Sequence, residues 1–470
     1  MRELKFLQIL NQLSRSYRSR LTDFFVSPYC NKDPHLIRFL HAVLASNESN
    51  PMEIDKYAIW DQVFEGANFN DSKWRQLSHD FIKAVHQFLI FESVKQNKFK
   101  SNNLLLTLLA REEFTSIYNS SISSAEKDFE KFNSLSSEFF YEKFDFEKNI
   151  YEIKNYEVNM EVESNIRRIH ENLDLFYLTE KLKQLVNIVT RRNFLNTNLD
   201  IPLEKEVIDI INAYNLLEHP GIEIYYKFYR LKSSDSEHDY YELKNKIYER
   251  IHLFFLEDAV DVLKEIINYC SLKINLGKIG YAEDALNFYK FGLKNNYIFP
   301  NNKFNPGDFL NIVIYGIRTK EFTWTENFIE EYQKIIPTNQ RKTLVTFSLA
   351  RLYFNQSKYD EVIEKLRDVE FDEITYNLDS KVLLLATYYE VNESQAMMSL
   401  ADSFRTFLTR HEKDITADKK QRYTNFIKFI KKLSRAKYQD KKAKQKLLEE
   451  INKTPGVVNQ GWLVSKAKSL

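Results

Sequence analysis

The stretch "LARLYFNQSKYDEVIEKL", Leu349 to Leu366, decides the fold. It reads as two short amphipathic helices joined by a tight polar turn. Val362 and Leu366 stand one helical turn apart and form a stripe that packs back on the first helix. A single pair of this kind cannot cover both its inner stripe and its outer face. It is therefore either part of an enzyme's scaffold or one unit of a stack.

Moving the comparison back by 34 residues favours the stack. Gly316 falls under Ala350, Phe328 under Val362, Tyr332 under Leu366 and Ile335 under Val369. Thr323-x-x-Glu326 falls under Ser357-x-x-Asp360, and both fit a capping box at the opening of the second helix, with Asp in place of Glu in the second. Gly316 and Ala350 occupy the place where two helices approach closely and a large side chain would separate them. Hairpins that complete one another's core make a quasi-one-dimensional array.

Composition agrees with an all-helical chain. Nine glycines and nine prolines make up only about 4% of 470 residues, against roughly 12% in average proteins. Residues that punctuate hairpins and strand turns are thus scarce. Sixty-seven basic and 66 acidic residues nearly cancel, so no global field selects a charged partner. The 36 Phe and 28 Tyr fill the space between helices or line an aromatic groove. Two cysteines, Cys30 and Cys270, make neither a disulfide framework nor a four-ligand metal site, and a reducing compartment, the cytoplasm, is expected. No apolar run of about 18 residues suggests a membrane span. The first twenty residues lack the continuous apolar core of a secretion signal. They read as a helix with Leu4, Leu7, Ile9, Leu10 and Leu13 on one face.

Periodicity divides the chain as follows. Residues 1–100 form an N-terminal helical module, with helices over about 2–25, 34–46, 53–65 and 72–95. Trp74, Leu77, Phe81, Val85 and Phe88 mark the clearest of these. Residues 101–164 form a helical connection in which two helices are expected. Degenerate helical repeats follow over 165–308, regular hairpins over 309–410, a basic terminal helix over 411–450 and a tail over 451–470. In the tail, Pro455-Gly456 ends the helical pattern, and Trp462 and Leu463 anchor a short last segment.

The 34-residue unit resembles the tetratricopeptide repeat. Leu349, Ala350, Tyr353, Val362, Leu366 and Val369 stand at that family's packing positions. Ile374 stands where the family's usual proline would be, Thr319 replaces a tyrosine in the preceding unit, and Pro337 is displaced. A third unit carries Leu385, Ala386 and Tyr389, then Ala396 and Leu400 after a shorter turn. The specific likeness covers about 309–410, and a looser one about 165–440. The whole chain also resembles a group of bacterial helical proteins through "SPYCNK" and "SLADSFRTFLTRH", a likeness that implies no activity.

The repeat resemblance implies an α-solenoid whose first helices line a groove for a peptide or helix of a protein partner. Carried over by position, the groove-facing residues are Leu310, Val313, Ile317, Lys320, Phe347, Arg351, Asn355, Leu383, Thr387 and Glu390. Family members that clamp an acidic tail use Lys and Asn on the first helix. Val313 and Ile317 stand there instead, so acidic-tail capture is not implied. The groove either takes an amphipathic helix or is covered by another part of this chain.

Signals for chemistry are weak. His79 and His86 lie two turns apart without H-E-x-x-H spacing, so no metal ligation is expected. "GKIG" at 277–280 lacks the glycines and strand of a phosphate loop. Cys30 has no basic partner beyond Lys32. No catalytic residue, cofactor or metal is expected. Between Lys419 and Lys446 the chain carries 12 Lys and Arg against one acid, Asp440. Phe426, Phe429, Ile430 and Leu433 make that segment amphipathic, with Lys428, Lys431, Lys432, Arg435, Lys441 and Lys442 on its basic face. The stripe docks on the stack and the basic face lies in water. Nucleic-acid binding by that face is the alternative function. The expectation is a soluble, non-catalytic interaction scaffold.

Overall fold

The structure is a computed structural model that describes residues 5–49, 55–111, 115–156, 163–195, 197, 199–367, 369, 371, 373–436 and 441–470. Among them there are 23 α-helices and no strand, an all-α, solenoid-like fold in which helices pack against neighbours in sequence. The chain forms two compact units, Met1–Leu243 and Lys244–Leu470.

The first unit opens with α1 (Lys5–Gln12), α2 (Arg15–Val26), α3 (Pro34–Ser49), α4 (Lys56–Phe64) and α5 (Asp71–Gln96). All five apolar residues that marked α5 in the sequence are buried. Each contributes roughly 1.5–3 kcal/mol by leaving water. Phe6 and Phe39 meet edge to face at 5.2 Å, and Phe39 and Trp74 at 5.5 Å. The single helix expected over 2–25 is instead two helices. Ser14 is extended and its side chain accepts from the Tyr17 N–H at 3.3 Å, which starts α2 afresh. Leu4, on the expected apolar face, lies outside the described residues.

Next come α6 (Lys98–Arg111), α7 (Thr115–Lys131), α8 (Ser137–Ile153), α9 (Ile166–Leu195), α10 (Glu204–Ala213) and α11 (Pro220–Ser234). Two helices with a soft joint were expected in the polar, Ser-rich part of the connection; α7 and α8 are those two, joined by the Ser-containing segment 132–136, and α6 precedes them. The helix α12 (Glu237–Arg250) contains the division between the units.

The second unit continues with α13 (Leu256–Asn275), α14 (Tyr281–Lys294), α15 (Pro306–Arg318), α16 (Phe322–Tyr332), α17 (Thr338–Asn355) and α18 (Tyr359–Leu366). It closes with α19 (Ile374–Glu390), α20 (Ser394–Arg410), α21 (Ala417–Ala436), α22 (Lys441–Lys453) and α23 (Gln460–Lys468). Helices α15, α17, α19 and α21 pack successively into one layer. Each of α16, α18 and α20 packs on the helix before it and the helix after it. The shared core runs from Phe347 through Leu385, Phe404 and Ile430 to Leu463.

One turn recurs in this unit. After α15, Lys320 has φ +62°, its N–H donates to Ile317 O, and the Glu321 N–H donates to Gly316 O at 2.9 Å. Ser357 and Asn392 repeat that geometry after α17 and α19, with Lys358 N–H bonded to Tyr353 O and Glu393 N–H to Tyr388 O. Gly277 and Asn296 do the same after α13 and α14. These are Schellman closures, which satisfy carbonyls at a helix end and reverse the chain. The expected capping boxes do not form. Thr323 lies inside α16, Ser357 sits in the left-handed turn position, and neither α16 nor α18 has a side-chain cap. Core positions of the two hairpins match at the 34-residue offset, but α17 ends one turn later than α15 does.

Candidate functional site

The layer of first helices carries a pocket of about 440 Å³. Helix α15 contributes Ile314, Ile317 and Arg318. Helix α17 contributes Phe347, Arg351, Phe354 and Asn355, and α19 contributes Asp379, Val382 and Leu383. These residues recur at three- and four-residue spacing, so each helix presents one face to the same space. The last wall comes from far along the chain: Val458 and Asn459 in the turn before α23, and Trp462 within it.

Helix α23 is held there by a specific anchor. Trp462 Nε1 donates to Glu390 Oε1 at 2.9 Å, and Lys466 Nζ donates to Glu390 Oε2 at 2.7 Å. The Trp462 ring meets Tyr389 edge to face at 5.5 Å, and Leu463 is fully buried. Burial, with Glu390 beside it, pushes the Tyr389 phenol up to about 12. Trp462 and Leu463 therefore anchor the last segment, as their position in the tail suggested.

The positions expected to face a groove separate into three sets. Ile317, Phe347, Arg351, Asn355 and Leu383 line the pocket. Val313 and Thr387 are buried, the Thr387 hydroxyl donating to Leu383 O at 2.8 Å, and half-buried Leu310 packs on the shared core. Those three lie in the packed layer, because each hairpin needs them against its neighbour. Lys320 occupies the left-handed turn and Glu390 is taken by α23. Arg318, Phe354, Asp379 and Trp462 line the pocket without having been picked out as groove residues from the sequence. Arg318 stands one position beyond the aligned groove residue Ile317, a signal that was available. Trp462 lies outside the repeat and could not be placed by its period.

Charge in the pocket is uneven. The Arg351 guanidinium lies over the Phe347 ring at 5.6 Å and has no hydrogen bond or ion pair among the described residues. Burial depresses its guanidinium's pKa, with Asp379 opposing and Arg318 adding to the effect. Arg318 is exposed at the end of α15 and likewise has no ion pair among the described residues. Asp379 accepts from the Tyr423 hydroxyl at 2.6 Å, and burial together with that carboxylate raises the Tyr423 pKa.

The basic segment is two helices, α21 and α22, rather than one, and Asp440 lies outside the described residues. Phe426, Phe429, Ile430 and Leu433 are buried in the shared core. Lys428 and Lys432 both reach Glu450, at 2.7 and 2.6 Å, and Lys431 reaches Asp402 at 2.5 Å. Arg435, Lys441 and Lys442 are exposed and have no ion pair among the described residues. Half of the expected basic face is thus already ion-paired within the unit, three lysines sharing two carboxylates.

His79 and His86 are exposed, Cys270 is buried and Cys30 half-buried. Among the described residues no group of three or more His, Cys, Asp or Glu is arranged to hold a metal ion. No helix among them is long and apolar enough to cross a membrane. No protein-family model, curated protein or solved structure matches the chain.

Proposed function

We propose that this chain is a non-catalytic interaction scaffold that binds a segment of a protein partner on its tetratricopeptide-like hairpins. The pocket between α15, α17 and α19 carries the reading. It combines apolar walls with a few polar groups, the usual make-up of a binding site. Phe347, Val382, Leu383 and Trp462 offer apolar area, while Arg351, Asn355 and Asn459 offer donors. Helix α23 narrows the groove, so a short segment fits better than a long helix laid across all the hairpins. The work expected of the molecule is holding a partner in the cytoplasm.

A peptide-display selection against the full chain tests this. Sequences enriched on the wild-type protein should be lost on Asn355→Trp, which fills the pocket from an exposed position. No enrichment, or enrichment indifferent to Asn355→Trp, would contradict the proposal.

A further inference from the structure

Resting on that reading, we infer that the pocket recognises one acidic side chain, Asp or Glu, inside a partner segment and next to a large apolar residue. The juxtaposition of Arg318, Arg351 and the apolar wall carries the inference. Arg351 is half-buried, with five N–H donors and no acceptor. Leaving such a group partly desolvated and unpaired is costly, and the like charge of Arg318 beside it adds to the cost.

The same unit shows what a satisfied cation looks like. Lys466 has Glu390, Lys431 has Asp402, and Lys428 and Lys432 share Glu450. The Arg318–Arg351 pair departs from that pattern inside a cavity. A carboxylate entering there would accept from the flat fork of a guanidinium in bidentate fashion.

Charge counting sets how much negative charge fits. Two guanidinium groups face one carboxylate, Asp379, among the lining residues, leaving one positive charge. A single carboxylate neutralises it, whereas a second acid or a dianion would meet the repulsion of Asp379. That excludes the doubly charged end of an acidic tail and favours an internal side chain. The neighbouring apolar residue lies against Phe347, Leu383 and Trp462, where burial adds affinity without further charge.

The test uses the full chain and a phage-displayed library of internal random peptides. Enriched sequences should carry Asp or Glu beside Phe, Leu, Ile or Trp. Made as N-acetylated, C-amidated peptides, they should bind, and Glu→Gln or Asp→Asn in the peptide should weaken binding about tenfold or more. Arg351→Met, checked for an unchanged unfolding midpoint, should remove the difference between acid and amide peptides. Peptides that are blocked by Asn355→Trp but indifferent to Glu→Gln would overturn the carboxylate inference and leave the scaffold reading standing. Binding that requires a free C-terminal carboxylate would overturn it as well. No enriched peptide at all would overturn both.

Discussion

Thr325 Oγ1 stands 2.0 Å from where a Cβ on Gly316 would be. The two residues face each other across the α15–α16 hairpin, and Thr325 is fully buried with its hydroxyl donating to Glu321 O at 2.8 Å. Gly316→Ala therefore costs stability, although alanine is the better helix former by about 1 kcal/mol. Overpacking sets the sign, and the loss should be about 1–3 kcal/mol in urea unfolding. Gly316→Ala combined with Thr325→Ala should recover part of that loss, a coupling that a double-mutant cycle reads directly.

Glu390 ties α23 to α19 through Trp462 and Lys466. Glu390→Ala leaves a half-buried ammonium and an indole N–H without their acceptor. The expected loss is about 1–3 kcal/mol. Hydrogen exchange should quicken chiefly in α23. An unchanged exchange pattern there would show that the buried Leu463 holds the helix alone.

Glu142 gives a pH signature of the opposite sign to a paired surface acid. Burial raises its pKa above the ordinary value, with the hydrogen bond from Asn103 Nδ2, 2.7 Å from Glu142 Oε2, opposing. A raised folded pKa means that its contribution is most favourable below the unfolded pKa and is lost as pH rises through the folded pKa. Glu142→Gln should therefore stabilise the protein at pH 7, and the gain should shrink as pH falls through the raised folded pKa and be gone below the unfolded value. Equal unfolding curves at pH 7 would contradict that.

The basic helices give a limit for nucleic acid. Arg422, Arg435, Lys441, Lys442 and Lys446 are exposed and have no ion pair among the described residues. About five phosphate contacts give a slope of log K against log salt of about −4.5. Titration with a short duplex should show affinity no more salt-dependent than this. A markedly steeper slope would mean that the ion pairs to Glu450 and Asp402 open to bind phosphate. Lys432→Glu should act mainly on stability, because Lys428 and Lys432 hold the Glu450 carboxyl below its usual range.

Much of the fold was legible because periodicity reports packing. The stripe from Trp74 to Phe88 and the pairing of Gly316 with Ala350 both mark faces that have to be buried. Turns were harder to read. Lys320, Ser357 and Asn392 take left-handed backbone where glycine would have signalled it, so the N-caps of the second helices, Glu321 and Lys358, fall two residues before Thr323 and one residue after Ser357, the expected caps. The break at Ser14 carried its own capping signal within an apolar pattern that seemed continuous. The pocket was half legible, since the repeat period picks out Phe347, Arg351 and Leu383. Nothing in that period brings Trp462 from the tail onto α19, because that contact depends on how the chain returns after α22.

Hydrogen exchange of the full chain, with and without a peptide enriched in the display selection, tests the binding pocket most directly. Slower exchange at residues 314–318, 347–355, 379–383 and 458–462 is the predicted result. Protection elsewhere, or at none of these segments while the peptide is bound, would contradict it.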